Sequence, residues 1–423
     1  MCALAKFMLK KGYKVSGSDL NRSRFTDDLR ALGVPVFIGH RAENVGNAQV
    51  VVYTSAIPEN NPEIRAARRD GKLLLPRTAL LSYLANKYPQ TVAICGSHGK
   101  TTATSMTAHV MRAGGVKVTA HIGGMDKKLG NLYYGGDTCF LTEACEYKKN
   151  FLSLYPDIAV ILNLQKDHME CYDGESDLYS SFSQFANQSH VTIVNGDDKK
   201  LCQSVRADVL FSVGGEGDYV ATDWSTEKGK TRFTVRLKNG KIAQFTVKGC
   251  GKHVVYNALS AVAVCSECGI PISKIRKGLK CYSGVARRME KIGKFRAKGC
   301  YIDYAHHPTE ILSTVEAFIK EFGENVTVVF QPHTYSRTAY LFDDFVQVLG
   351  RFPRVILYPT YPAREAYREN GSAETLCRAL PHAEYAASKS ALFSLLATNK
   401  KVKGNILFLG AGNIAEIARE IIK

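Results

Sequence analysis

Thr91-Val-Ala-Ile-Cys95 runs directly into Gly96-Ser97-His98-Gly99-Lys100-Thr101-Thr102, and the order of these residues decides the fold class. The apolar run predicts a buried strand, the two glycines permit a tight turn, and residues 103–112, ended by Gly114 and Gly115, carry a helical pattern. A strand, a glycine turn and a helix in succession open an α/β unit with parallel strands. In that geometry backbone N–H groups of the turn and of the first helical turn point at one spot, which suits an anion. Glycine lets the main chain approach a phosphate closely. Lys100 supplies a point charge for the β and γ phosphates of ATP, and the Thr101 hydroxyl is a ligand for Mg²⁺. Gly96 and Gly99 enclose two residues where the common P-loop has four, so kinases and GTPases of that pattern fit less well.

Upstream, residues 1–86 alternate helix and strand, with strands expected at 13–19 and 48–55, the rhythm of a parallel α/β domain. In dinucleotide-type folds an acid closes the second strand about 20 residues after a glycine-rich first turn, and Asp19 is placed for that role. Counting back puts the turn ahead of Met1. The first domain is therefore expected to lack its first strand and phosphate-facing loop, through either a misplaced start or a genuine loss. The pattern breaks at Asn86-Lys-Tyr-Pro-Gln90, where a second domain (87–285) begins, and strands near Tyr301, 326–330, 355–358 and 406–409 mark a third (286–423).

Three domains also suit a chain of 423 residues, which exceeds what one core organises. With 45% hydrophobic and 22% charged residues and no apolar run of membrane-spanning length, the composition is that of a soluble globular protein. Lys6 interrupts the apolar opening and no small-residue cleavage site follows, which argues against a signal peptide. Twelve cysteines without a regular framework fit reduced thiols, and the lone Cys265-Ser-Glu-Cys268 pair, in the helical run 257–268, reads as core packing. The net charge of +17 is dispersed, without a basic tail or an aromatic-interleaved stripe, so polyanionic small molecules account for it and nucleic acid is not expected.

Further stretches give the loop a context: Glu143-Ala-Cys-Glu-Tyr-Lys-Lys-Asn-Phe-Leu152, Asp167-His168-Met169, Asp303-Tyr-Ala-His-His-Pro-Thr-Glu310, Gln331-Pro-His-Thr-Tyr-Ser-Arg-Thr338 and Gly410-Ala-Gly-Asn-Ile414. Together with the glycine loop they resemble the Mur ligases, which extend the peptide of peptidoglycan precursors, over essentially the whole chain. The Tyr-Ala-His-His-Pro-Thr-Glu and Gln-Pro-His stretches are similar to the alanine-adding branch. The resemblance implies an α/β protein with a Rossmann-like UDP-sugar domain, a central P-loop ATPase domain and a C-terminal Rossmann-like domain that brings the amino acid. It further implies a cytoplasmic reaction, carried out by a monomer or weak homodimer with ATP and Mg²⁺. The carboxylate of UDP-N-acetylmuramate is phosphorylated, the amino group of L-alanine attacks the acyl phosphate, and ADP and phosphate leave. A sister ligase that joins a tripeptide to the same sugar shares nearly all these motifs, and a degenerate ATP-binding paralogue is a reading of a different class; both stay open.

Residue by residue, the resemblance implies ATP contacts from Gly96, Ser97, His98, Gly99, Lys100, Thr101, Thr102, Asn257, Arg288 and Asp303. Lys100, Glu143 and His168 carry the chemistry, with Thr101, Glu143 and His168 at the cation, although an imidazole is unusual for Mg²⁺. Asp19, His40 and Ser55 fall to the UDP-sugar, in stretches that also include Asn61, and His333, Arg337 and Arg364 to the amino acid, where a guanidinium pairs with a carboxylate. Val254 stands where the first of two asparagines is usual, leaving Asn257, which reads alternatively as a helix N-terminal polar residue. Gln165 stands where a carboxylate is common. Glu146 is open between an acid supporting the site and a solvated charge beside Lys148 and Lys149. Arg287 reads as a surface charge. His306 and His307, adjacent on an extended chain, point to opposite sides, which makes one of them structural.

Overall fold

The computed structural model describes residues 1–167, 169–398, 402 and 404–422. They divide into two compact units: residues 1–222 with 235–243 and 257–282, and residues 223–234, 244–256 and 283–423. Among the described residues no helix is long and apolar enough to cross a membrane.

The first unit opens with helix Cys2–Lys10 and then carries four short strands, β1 (Gly17–Asp19), β2 (Val36–Ile38), β3 (Val50–Tyr53) and β4 (Leu73–Pro76). β1 pairs in parallel with β2 and β3 with β4, in two separate sheets that no strand among the described residues joins. Helix Pro62–Arg69 follows the start rules: Pro62 sits in its first turn, and the Asn61 side chain accepts from the Glu63 N–H at 2.9 Å. Residues 1–86 share a hydrophobic core with the second domain, since Phe7, Leu80, Leu84 and Tyr88 pack with Phe140, Phe151, Phe182 and Phe185.

The central sheet contains β5 (Gln90–Cys95), β6 (Val118–Asp126), β7 (Gly130–Tyr134), β8 (Cys139–Glu143), β9 (Ile158–Ile161), β10 (Val191–Asn195), β11 (Val209–Val213), β12 (Tyr219–Glu227), β13 (Lys230–Arg236) and β14 (Ile242–Lys248). Its order is β14-β13-β12-β11-β10-β9-β5-β8-β6-β7. β5 lies between β8 and β9, parallel to both, and is buried on both faces, which explains its unbroken apolar run. Because the three strands run the same way, their C-terminal ends emerge at one edge, where open α/β sheets place ligands. β12 to β14 carry no sequence motif and are additions to the expected strands.

Helix Lys100–Gly114 follows β5 and is buried continuously from Ala103 to Met111. Two interactions seat it. Gly278 of helix Ile272–Cys281 has no side chain, so its backbone reaches Val110; a Cβ there would lie 2.9 Å from the His109 carbonyl oxygen and closer still to the Val110 Cα. On another side the buried Asp126 carboxylate takes hydrogen bonds from the Ser105 hydroxyl (2.5 Å) and from the N–H groups of Lys128 and Leu129 (both 2.7 Å), with His109 Nε2 at 3.1 Å.

The second unit is a sheet of order β15-β16-β20-β17-β18-β19, with β15 (Glu290–Phe295), β16 (Lys298–Asp303), β17 (Val326–Phe330), β18 (Val355–Leu357), β19 (Ala383–Tyr385) and β20 (Asn405–Leu409). Only β15 is antiparallel to its neighbour. Successive side chains serve two cores: Val328 and Phe330 pack with Phe318 and Phe345, whereas Val329 packs with Phe408, Leu392 and Ile414. That period of two, buried on both faces, is the mark of a doubly wound sheet.

Candidate functional site

Three strand ends build the site in the first unit. After β5 the chain turns through Gly96 (φ 135°) and Gly99 (φ 85°), conformations that favour glycine, and Gly99 is the residue ahead of the helix. The turn after β9 braces the loop from alongside. The Asn163 side chain accepts from the His98 N–H (2.8 Å) and donates to the His98 carbonyl (3.0 Å), the Ser97 hydroxyl takes the Gln165 N–H (2.8 Å), and the His98 ring lies 2.8 Å from Gln165 Oε1. Gln165, which departs from the family pattern, is thus a bracing group for His98. Thr102 is half-buried on the first helical turn.

Asn257 meets the same loop. Helix Lys252–Glu267 begins five residues earlier than the run 257–268 predicts, so Asn257 is mid-helix and not an N-terminal polar residue. Its side chain fills the space beside Gly99: a Cβ on Gly99 would lie 3.2 Å from Asn257 Cγ and overlap Oδ1 outright.

Lys100 points back into the loop. Its Nζ donates to the carbonyls of Gly96 (2.5 Å) and Ser97 (3.2 Å) and to Glu146 Oε1 (2.9 Å), with Oε2 at 2.8 Å. Burial works against the ammonium, but the Glu146 carboxylate outweighs it and raises the lysine pKa above its ordinary value. Glu146 is buried, which excludes the solvated-charge reading.

Glu143 ends β8 within reach of Thr101: the Thr101 hydroxyl donates to Glu143 Oε2 at 3.1 Å, while Oε1 accepts from the Gly123 N–H. Gly123 leaves the room that this carboxylate occupies, since a Cβ there would lie 2.7 Å from its Cδ. A hard carboxylate oxygen beside a hydroxyl is a donor set that fits Mg²⁺. His168 lies outside the described residues.

The sugar-side candidates lie on the short sheets. Asp19 ends β1, exposed, and accepts from the Asn21 N–H at 3.2 Å. His40 belongs to a network centred on Glu63, whose carboxylate takes the Ser18 hydroxyl (2.6 Å) and the Asn44 amide (2.7 Å), with His40 Nδ1 at 3.5 Å. Ser55 is exposed, and its carbonyl accepts from Lys148 Nζ at 3.3 Å.

In the second unit Asp303 ends β16, and its two oxygens accept the N–H groups of Met289 (2.7 Å) and Ala305 (2.9 Å). Burial raises its pKa against the pull of Arg288 and those N–H groups. Arg288 lies over the Tyr304 ring (5.2 Å) and 3.9 Å from Glu310. Arg287 is not the surface charge expected: in a left-handed backbone conformation (φ 61°) its guanidinium turns inward and donates to the carbonyls of Gly410 (2.8 Å) and Gly412 (2.7 Å). His307 Nδ1 accepts from the Thr309 N–H at the start of helix Pro308–Phe322, while His306 faces Glu310 at 3.2 Å. His333 stacks on Tyr361 (5.6 Å) and has Arg337 Nη1 3.3 Å from its Nδ1; Arg364 is exposed.

Two histidines, His121 buried and His253 half-buried, make stability sensitive to acid. Burial, with Arg77 and the Met1 amino group, lowers His121 in the first unit to about 3, and burial with Arg288 lowers His253 in the second to about 4. Below pH 6.5 the unfolded chain takes up protons that the folded chain refuses, so stability falls as pH drops from 6.5 toward these values. Each histidine is expected to contribute a loss of roughly 2 kcal/mol by pH 5. Denaturant titrations at pH 7, 6 and 5 check this: His121→Asn and His253→Asn should each flatten the decline, and an unchanged slope would remove the histidines from it.

Comparisons with known proteins agree along the chain. Family models described as "Mur ligase family, catalytic domain", "Mur ligase middle domain" and "Mur ligase, glutamate ligase domain" match residues 1–89, 94–265 and 287–412. The chain is 38% identical over 432 residues to a UDP-N-acetylmuramate–L-alanine ligase of Aquifex aeolicus, covering 100% of this chain and 95% of the relative. It is similar to the crystal structure of a UDP-N-acetylmuramate-alanine ligase from Thermotoga maritima, with a TM-score of 0.87, 25% identity and coverage of 100% and 95%. A ligase of T. maritima solved in complex with ADP shares the fold at 16% identity, with a TM-score of 0.66 over 88% of this chain and 94% of that one.

Proposed function

The chain belongs to the Mur ligase family, and from that premise we infer that it joins L-alanine to the carboxylate of UDP-N-acetylmuramate at the expense of ATP. The observation that carries this reading is the meeting of the ends of β5, β8 and the turn after β9, with Lys100, Thr101 and Glu143 side by side. A carboxylate and a triphosphate repel each other, so their reaction needs concentrated positive charge and fixed geometry more than a covalent nucleophile.

The N–H groups of Gly99 to Thr102 and the Lys100 ammonium hold the β and γ phosphates, while those of Ser97 and His98 bond to Asn163 and fix the loop. Thr101 and Glu143, with His168, would hold Mg²⁺, which shields the phosphate oxygens from the incoming acid. The sugar carboxylate attacks the γ phosphorus and ADP leaves; the amine of alanine then displaces phosphate from the acyl phosphate. Asn257 supports the nucleotide loop through Gly99, and Arg288 and Asp303 serve the nucleotide from the third domain. Asp19, His40 and Ser55 receive the UDP-sugar. His333, Arg337 and Arg364 receive the amino acid, with a guanidinium on its carboxylate. The labour divides over residues 1–86, 87–285 and 286–423. The enzyme works in the cytoplasm as a monomer or weak homodimer and uses no nucleic acid.

Phosphate release from ATP should require UDP-N-acetylmuramate and L-alanine together. Release with a tripeptide in place of alanine would move the protein to the peptide-adding sister ligases, and nucleotide binding without turnover on either acceptor would make it an ATP-binding paralogue.

A further inference from the structure

We propose that Glu146 is a positioning residue of the phosphate loop: its carboxylate competes with phosphate for the Lys100 ammonium and takes it back when ADP departs. The proposal rests on reading Gly96 to Thr102 as the nucleotide loop.

A lysine ammonium has three N–H donors and no acceptor. All three are engaged, on Gly96 O, Ser97 O and Glu146. A phosphate oxygen can be met only if one of these contacts opens. The two carbonyls belong to the loop itself, so Glu146 is the partner that comes from elsewhere in the chain.

Its placement is enforced. Glu146 is 2% exposed, and a carboxylate at that depth needs a cation beside it. The main chain that delivers it adopts left-handed conformations at two successive lysines, Lys148 (φ 50°) and Lys149 (φ 55°). Strain of this kind persists only where surrounding contacts impose it, and it gathers at functional sites. The contacts are present: Lys149 Nζ pairs with Asp177 at 2.7 Å, Lys148 Nζ donates to Ser55 O at 3.3 Å, and the Tyr172 hydroxyl donates to the Glu146 carbonyl at 2.6 Å. The segment thus presents one anion to the loop lysine from behind.

That anion weakens nucleotide binding in two ways, by engaging a donor and by placing a negative charge close to the phosphates. Both effects favour departure of ADP. Replacing the carboxylate by an amide of the same shape should therefore tighten nucleotide binding and slow turnover together, whereas loss of mere structural support would weaken binding.

The experiment is ADP affinity by calorimetry, with kcat and KM for ATP, on the full chain. Glu146→Gln is expected to lower the Kd for ADP by ~10-fold, as removal of a near like charge would, and to lower kcat and KM together. Glu146→Asp, which keeps the anion, should stay within about threefold of the unaltered protein. If the unaltered protein does not bind ADP, the loop reading itself fails. If it binds and Glu146→Gln binds equally or more weakly, only the role of Glu146 is overturned. Should Glu146→Gln not fold, the pairing is read from melting temperatures: Lys100→Met/Glu146→Gln should melt above Lys100→Met, and equal melting would overturn the proposal.

Discussion

Lys100→Ala is expected to reduce ATP-dependent ligation by at least ~100-fold, because removing the one charge proposed to meet the transferred phosphoryl group costs roughly 3 kcal/mol of transition-state stabilisation. The loss should appear in kcat, since charge builds on the phosphoryl oxygens during transfer. The same substitution leaves the Glu146 carboxylate buried without its cation. Breaking one side of a buried pair destabilises by about 3–5 kcal/mol, so lost activity must be told apart from lost protein. Single-turnover phosphate release, measured on material whose melting curve is cooperative, separates the two. Retained turnover in folded Lys100→Ala would remove Lys100 from the mechanism.

Gly99→Ala is the second large effect. Gly99 has φ 85°, a conformation that costs a residue with a Cβ about 1–2 kcal/mol. The added methyl would also overlap Asn257 Oδ1, and Asn257 cannot simply swing away because it sits buried in the middle of its helix. The loop must shift, and with it the N–H groups of the first helical turn, which are proposed to hold phosphate. A nucleotide affinity lower by at least ~10-fold is expected, since a displacement of about 1 Å at a preorganised site already costs more than that. Gly99→Ala/Asn257→Ala should recover part of the affinity by removing the overlap while leaving the backbone penalty. If the double variant binds no better than the single one, Asn257 is not what holds the loop.

The sequence reveals elements in which local pattern and tertiary environment agree. β5 and its glycine loop, the buried strands at 158–161 and 326–330, and the helix after Lys100 each follow from apolar runs and turn residues that only one arrangement satisfies. Three features are hidden for identifiable reasons. The run 252–256 contains Val254 and Val255, which read as extended chain, yet the helix starts there after Gly251, and this moves Asn257 from a helix end to its middle. Arg287 looks like a surface charge in the sequence because nothing local marks the positive φ that turns it toward Gly410 and Gly412. Glu146 has lysines for sequence neighbours, but its partner is 46 residues away, and only the register of β8 beside β5 brings the two together. β12 to β14 lack any chemical motif, but β13 and β14 alternate strictly, buried at every second residue on either side of Asn239-Gly240, so this hairpin is legible from period and turn residues and is passed over only because it carries no chemistry.

The close approach of Gly278 to Val110 bears on tempo. A helix pressed backbone to backbone against its neighbour can neither roll nor slide without opening that contact, and motions of that kind belong to microseconds or longer. Rotation of a lysine side chain about its own bonds is faster by orders of magnitude. On the proposed reading of the loop, the Lys100 side chain can therefore swing while the helix that carries it keeps its place.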